Sequence, residues 1–166
     1  MSAGLQRREK TMDKAVYGAL EAIKDEINDA YGFEGETPRI NYGPCGVFAY
    51  LFHREWNARF EEKVQICFVF TPDHSECYHV CLQLPTGELY DGGAGIHSAA
   101  AYPGFVLERM PVYRQELLEK WSYGLDRTYP RFCPAFSRAF VEGVIVKNLD
   151  ALRKISALKS ASGKKN

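Results

Sequence analysis

The sequence predicts an α+β domain: a helix with a cysteine at its start, packed on a small antiparallel sheet, with helices on either flank. Three observations predict it. Apolar residues recur every three or four positions near the start of the chain. In the middle they alternate or run together, and in the last third they return to helical spacing. The chain has 166 residues, 46% hydrophobic and 25% charged, which is enough apolar material for one core and too much for a disordered chain. We expect a flexible N-terminus over 1–10, a single domain over 11–159 and a flexible, polar and basic tail over 160–166.

The first element is an amphipathic helix from Thr11 to Tyr31. Met12, Val16, Leu20, Ile23 and Ile27 lie on one face, with Thr11 as the expected N-cap and Gly32 as the stop. Residues 32–44 are rich in Gly and Pro and read as a loop. An apolar helix follows from Cys45, with Val47, Leu51 and Trp56 within it. Val64–Thr71 is continuously apolar and aromatic, as in a strand buried on both faces. Tyr78–Leu84 alternates, and Leu89–Asp91 follows a turn. Tyr113–Tyr123 reads as helix, Pro130 and Pro134 as breaks, and 135–146 equally as helix or strand. Leu149, Leu152, Ile155 and Leu158 mark a last amphipathic stretch.

Charge and cysteine content narrow the function classes. Lys plus Arg and Asp plus Glu each number 21, so the net charge is zero, which argues against a protein built to hold nucleic acid or an anionic membrane. No apolar run is long enough to span a bilayer. The segment Met1–Lys10 lacks the apolar centre of a secretory signal. Five cysteines, an odd number in a chain of this size, read as reduced thiols of a cytoplasmic protein.

The informative segment is Asn41-Tyr42-Gly43-Pro44-Cys45-Gly46-Val47-Phe48-Ala49. A Gly-Pro loop ends at a cysteine where a helix begins. The free N–H groups and the positive end of the dipole favour a thiolate there, which makes Cys45 a candidate nucleophile. Gly43 and Gly46 leave room for a substrate carbonyl. The bland alternative is a small buried thiol.

Such a nucleophile needs a base, and there are four histidines. His53 lies eight residues beyond Cys45, about 12 Å along a continuous helix, and does not reach back. His74 sits in a turn, and His97 has no evident orienting partner. His79 is held in direction by its strand and shares a face with Cys81 and Gln83. Leu84-Pro85-Thr86-Gly87 reads as a type I turn closing in a left-handed residue, the three-residue hairpin loop. That loop pairs Leu84 with Glu88 and Leu82 with Tyr90. Asp91 then falls on the His79 face, roughly 7–8 Å away diagonally. A two-residue loop would put Asp91 on the opposite face.

The order Cys45, His79, Asp91 brings a family into view. Residues 42–49 resemble the nucleophile segment of transglutaminase-like enzymes within the papain-like superfamily. Tyr78-His79-Val80 and Tyr90-Asp91 resemble that superfamily's histidine and aspartate strands. The resemblance spans about residues 41–95. It implies a papain-like arrangement and a Cys-His-Asp triad acting on an amide-type bond, in a peptide, an isopeptide or a small molecule. Gly46 stands where those enzymes have tryptophan and Pro44 where they have glutamine, which favours hydrolysis over acyl transfer to amines. The papain-type glutamine position falls on Arg39. Asn41, the nearest amide, either lends an N–H to an oxyanion or caps the loop, and Gly46 lies beside the substrate.

We therefore expect a thiol hydrolase with no cofactor and no metal. The other readings are a transglutaminase-type acyltransferase and a protein-binding module in which Cys45 is inert. A zinc site on Cys77, His79 and Cys81 is the rival chemistry. Residues alternating along a straight strand stand about 7 Å apart, too far to converge on one ion. The glycines of Gly92-Gly93-Ala94-Gly95 lack the lysine of a phosphate loop and read as a turn. Cys67 and Cys133 read as core.

Overall fold

A computed structural model describes residues 12–123, 133 and 135–162. The first helix, α1 (Lys14–Tyr31), starts later than the apolar pattern suggests. Asp13 is its cap, with Oδ1 accepting from the Ala15 N–H at 2.8 Å, and Thr11 lies outside the described residues. Gly32 ends it as expected, at φ +70°, donating to Asn28 O. The Gly/Pro-rich segment that follows is not plain loop. It holds a short antiparallel pair, β1 (Phe33–Glu34) with β2 (Thr37–Pro38), and a 3₁₀ turn over Arg39–Asn41 that buries Ile40.

Helix α2 (Cys45–Arg59) leads into the sheet. The strands are β3 (Gln65–Phe70), β4 (Cys77–Gln83), β5 (Leu89–Asp91), β6 (Gly95–His97) and β7 (Val106–Met110). They pair antiparallel in the order β6-β5-β4-β3-β7. Helix α3 (Gln115–Trp121) and the 25-residue helix α4 (Arg138–Ser162) follow among the described residues. Pro130 and Pro134 lie outside the described residues, as do 163–166. The expected tail is helical through Ser162, and Lys159 pairs with Asp13 at 3.2 Å.

β3 lies inside the sheet between β4 and β7, and its two faces feed two cores, as its continuous apolar run requires. Ile66, Phe68 and Phe70 join α1, α2 and α4 in the main core, whereas Cys67 and Val69 face a smaller cluster with Cys81 and Leu89. Phe48 and Phe52 of α2 pack on Tyr90 of β5 at centroid distances of 6.0 and 5.0 Å. The buried Tyr90 hydroxyl donates to Leu20 O of α1 at 2.8 Å. Full burial of one such Phe is worth about 2–3 kcal/mol, so this stack fixes α2 over the β4–β5 hairpin. Asn57 clamps the far end of α2 to β3, accepting from Val64 N–H at 2.9 Å and donating to Val64 O at 3.2 Å. Among the described residues, no helix is long and apolar enough to cross a membrane.

Candidate active site

Cys45 is the first residue of α2. Gly43, at φ +110°, turns the chain into the helix, and Pro44 caps it without a side-chain hydrogen bond. The first N–H groups of the helix therefore have no acceptor from the cap residue. Gly46 is placed differently from the expectation. A Cβ there would lie 2.3 Å from Ser122 Cβ, so the glycine serves the close approach of the segment after α3, not the substrate. Ser122 is buried, and its Oγ has no hydrogen-bond partner.

The hairpin has the register the sequence implies. Leu84 N–H donates to Glu88 O at 2.8 Å, Gly87 N–H donates to Leu84 O at 2.9 Å, and Gly87 sits at φ +95°. Leu82 pairs with Tyr90 and Gln83 with Leu89. Asp91 consequently meets His79, with Oδ2 2.8 Å from Nε2, and both side chains are buried. The other ring nitrogen, Nδ1, is not engaged by Asp91, and Cys45 lies near enough for its charge to favour the protonated imidazole. The structure thus brings Cys45, His79 and Asp91 together.

Asp91 is held by more than His79. Its Oδ1 accepts from Gly93 N–H at 2.9 Å, Ala94 N–H at 2.6 Å and Asn41 Nδ2 at 3.1 Å. Burial alone would favour the neutral acid. The bond and charge of His79, with the Ala94 N–H, outweigh it and hold the carboxyl well below the usual carboxylate range. Burial alone would likewise strip the proton from His79. The charge of Cys45 and the bond to Asp91 outweigh that and raise the imidazole to about 10. The charged imidazole is thus stabilised from both sides.

Asn41 has a task neither sequence alternative named. One N–H of its amide donates to Asp91, so it steadies the carboxylate, and its own Oδ1 is buried without a partner. Gly93 makes room for it: a Cβ there would lie 2.8 Å from Asn41 Nδ2 and 2.5 Å from Pro38 Cβ. Asn28 of α1 fastens the same loop, donating to Gly93 O at 2.9 Å.

The three candidate zinc ligands do not share a face. The β3–β4 register shifts at Val69/Phe70, leaving Tyr78 as the extra residue of a bulge. Cys77 is rotated against the main core, and Cys81 lies in the smaller cluster beside Cys67. Burial and the charge of Cys45 push the Cys77 thiol up to about 12. Among the described residues, no group of three or more His, Cys, Asp or Glu side chains is placed to hold a metal ion.

The remaining histidines separate by environment. His53 stacks on Tyr113 at 5.3 Å, and the exposed His74 meets Glu108 at 3.2 Å. His97 does have partners, which the sequence did not reveal. Its Nδ1 lies 2.8 Å from Gly95 O, and its Nε2 lies 2.8 Å from the Tyr102 hydroxyl and 3.8 Å from Asp91 Oδ2. A cleft of about 220 Å³ opens over this cluster, walled by Asn41, Tyr78, His79, Asp91 and Tyr102. No family model, curated protein or solved structure matches the chain.

Proposed function

We propose that the chain is a cysteine hydrolase that cleaves an amide-type bond through Cys45, His79 and Asp91, in a papain-like arrangement. The observation that carries this is the buried His79 Nε2–Asp91 Oδ2 contact of 2.8 Å, which leaves Nδ1 for Cys45 at the start of α2. A structural histidine needs neither a thiol at a helix start nor a buried carboxylate already supplied with three N–H donors.

The chemistry follows from those positions. Cys45 gives its proton to His79 Nδ1, and the sulfur attacks the carbonyl carbon. The carbonyl electron pair moves to oxygen, where the N–H groups of the first turn of α2 stabilise it. When the C–N bond breaks, His79 returns the proton to the leaving nitrogen and an acyl thioester remains on Cys45. Water then attacks the thioester, giving one proton to His79. Collapse restores the thiol and releases a carboxylic acid. Asp91 stays ionised throughout and fixes which nitrogen of His79 carries the proton.

The test is the covalent intermediate. Intact-mass measurement after mixing the protein with a panel of peptide and small-molecule amides is expected to show an acyl adduct on Cys45 that decays in water. Cys45→Ala removes the adduct. No adduct and no product across peptides, isopeptides and small amides, with Cys45 alkylating like free glutathione, would overturn the reading.

A further inference from the structure

The wall of the cleft over His79 and Asp91 carries a group that the proposed reaction does not use. Tyr102 lines the cleft, its ring centroid 6.0 Å from that of His79, and its hydroxyl meets His97 Nε2 at 2.8 Å. The partner on the far side of His97 sets the direction of that bond. Gly95 O, 2.8 Å from Nδ1, is a carbonyl and only accepts, so Nδ1 carries the imidazole proton. In its neutral form His97 then offers a lone pair at Nε2, to which the Tyr102 O–H donates. Burial, and then the charge of Asp91, push the phenol well above its ordinary range, so it keeps the proton it donates. With its hydrogen turned away, the phenol oxygen presents only lone pairs to the cleft.

We propose that Tyr102 is a substrate-binding residue that accepts a hydrogen bond from the N–H of the bound amide, so that the site selects primary and secondary amides over tertiary amides and esters. His97 is the positioning residue behind it. This rests on the hydrolase reading and narrows its substrate class. An acceptor fixed in a partly closed cleft has nothing to offer an ester oxygen or a dialkyl nitrogen, and opposing an acceptor to another acceptor leaves a polar group unpaired. Tyr78 continues the same wall on the bulge of β4, its ring against Phe105 at 4.7 Å, and supplies apolar surface beside the acceptor.

The experiment uses three alkylating reagents of similar size: iodoacetamide, its N,N-dimethyl analogue and ethyl iodoacetate. Rates at Cys45, read by peptide mass spectrometry, are divided by the rates of the same reagents with glutathione to remove intrinsic reactivity. The parent protein is expected to prefer iodoacetamide about three- to tenfold over both others, the range set by one hydrogen bond. Tyr102→Phe is expected to bring that ratio close to one. No preference in the parent, a preference for the ester, or a ratio unchanged in Tyr102→Phe would overturn the assignment. The same data separate it from the hydrolase reading. If all rates at Cys45 fall in His79→Ala but the parent shows no preference, only the Tyr102 inference fails. If Cys45 is insensitive to His79, or unreactive to every reagent, both fail.

Discussion

Replacing Asp91 by Asn tests the longest chain of reasoning, because the substitution keeps shape and changes one proton. The Oδ1 side of Asp91 accepts from three N–H donors, at 2.6, 2.9 and 3.1 Å. An asparagine must keep its carbonyl oxygen there, since an NH₂ turned toward three donors would lose all of them. The NH₂ group then faces His79 Nε2, where Asp91 Oδ2 stands at 2.8 Å. An N–H donor at that point requires a lone pair on Nε2, so the ring proton moves to Nδ1, the nitrogen that takes the thiol proton in the proposed mechanism. The base then has no lone pair for the thiol proton, and its charged form loses the carboxylate beside it. Loss of the correct tautomer in a triad costs on the order of 10⁴ in rate, about 5.5 kcal/mol of transition-state stabilisation. The fold should survive, because the loop bonds to Oδ1 remain. The assay is acylation of Cys45 by a reactive amide, read by intact mass, alongside circular dichroism of both proteins. A variant with native spectra that acylates as fast as the parent would refute the orienting role of Asp91.

Three further outcomes are expected. Gly87→Val should lower stability by roughly 1–2 kcal/mol, because Gly87 sits at φ +95° with open space around its Cβ position, so only the backbone resists; an unchanged urea midpoint would contradict the left-handed turn. Gly46→Ala should cost about 1–3 kcal/mol by driving a methyl into Ser122, with Ser122→Gly in the same chain restoring most of it; a neutral Gly46→Ala would show that the segment after α3 does not pack there. The folded Asp91 carboxyl is held below its unfolded value of about 3.9, so its stabilisation is complete above that pH and is lost as the pH falls below it. Stability curves from pH 5 to 2 should therefore drop more steeply for the parent than for Asp91→Asn, by up to about 1.4 kcal/mol per pH unit, and parallel curves would remove the linkage.

The positions of Cys45, His79 and Asp91 are legible because each sits where local rules act. A Gly-Pro loop before an apolar run marks the helix start at Cys45. Alternation fixes the face of His79, and one turn type fixes the register that brings Asp91 to it. What escaped depends on contacts distant in the chain. Asn41 reaches Asp91 fifty residues later, and no periodicity connects them. His97 finds Tyr102 only because the chain makes a 3₁₀ turn over Ala99–Ala101. β7 was missed because Glu108 and Arg109 stand exposed within it and break the apolar pattern, as an edge strand allows. In the final helix, Gly143 and the β-branched Val144, Ile145 and Val146 obscure helical propensity. Burial of Val141, Val144, Ile145, Leu149 and Leu152 overrides it and joins two apparent segments into one helix. The bulge that turns Cys77 to the main core is not legible, because one extra residue leaves no mark in an alternating sequence.

The central claim is that Cys45 and His79 work as a pair, and the rate of Cys45 alkylation by iodoacetamide across pH tests it most directly. With His79 held charged to about pH 10 between sulfur and carboxylate, labelling of the parent should remain within about threefold from pH 8 down to pH 6. In His79→Ala it should fall by about tenfold for each pH unit over the same range, as for an isolated thiol. Two superimposable profiles would contradict the pairing, and with it the proposed hydrolase.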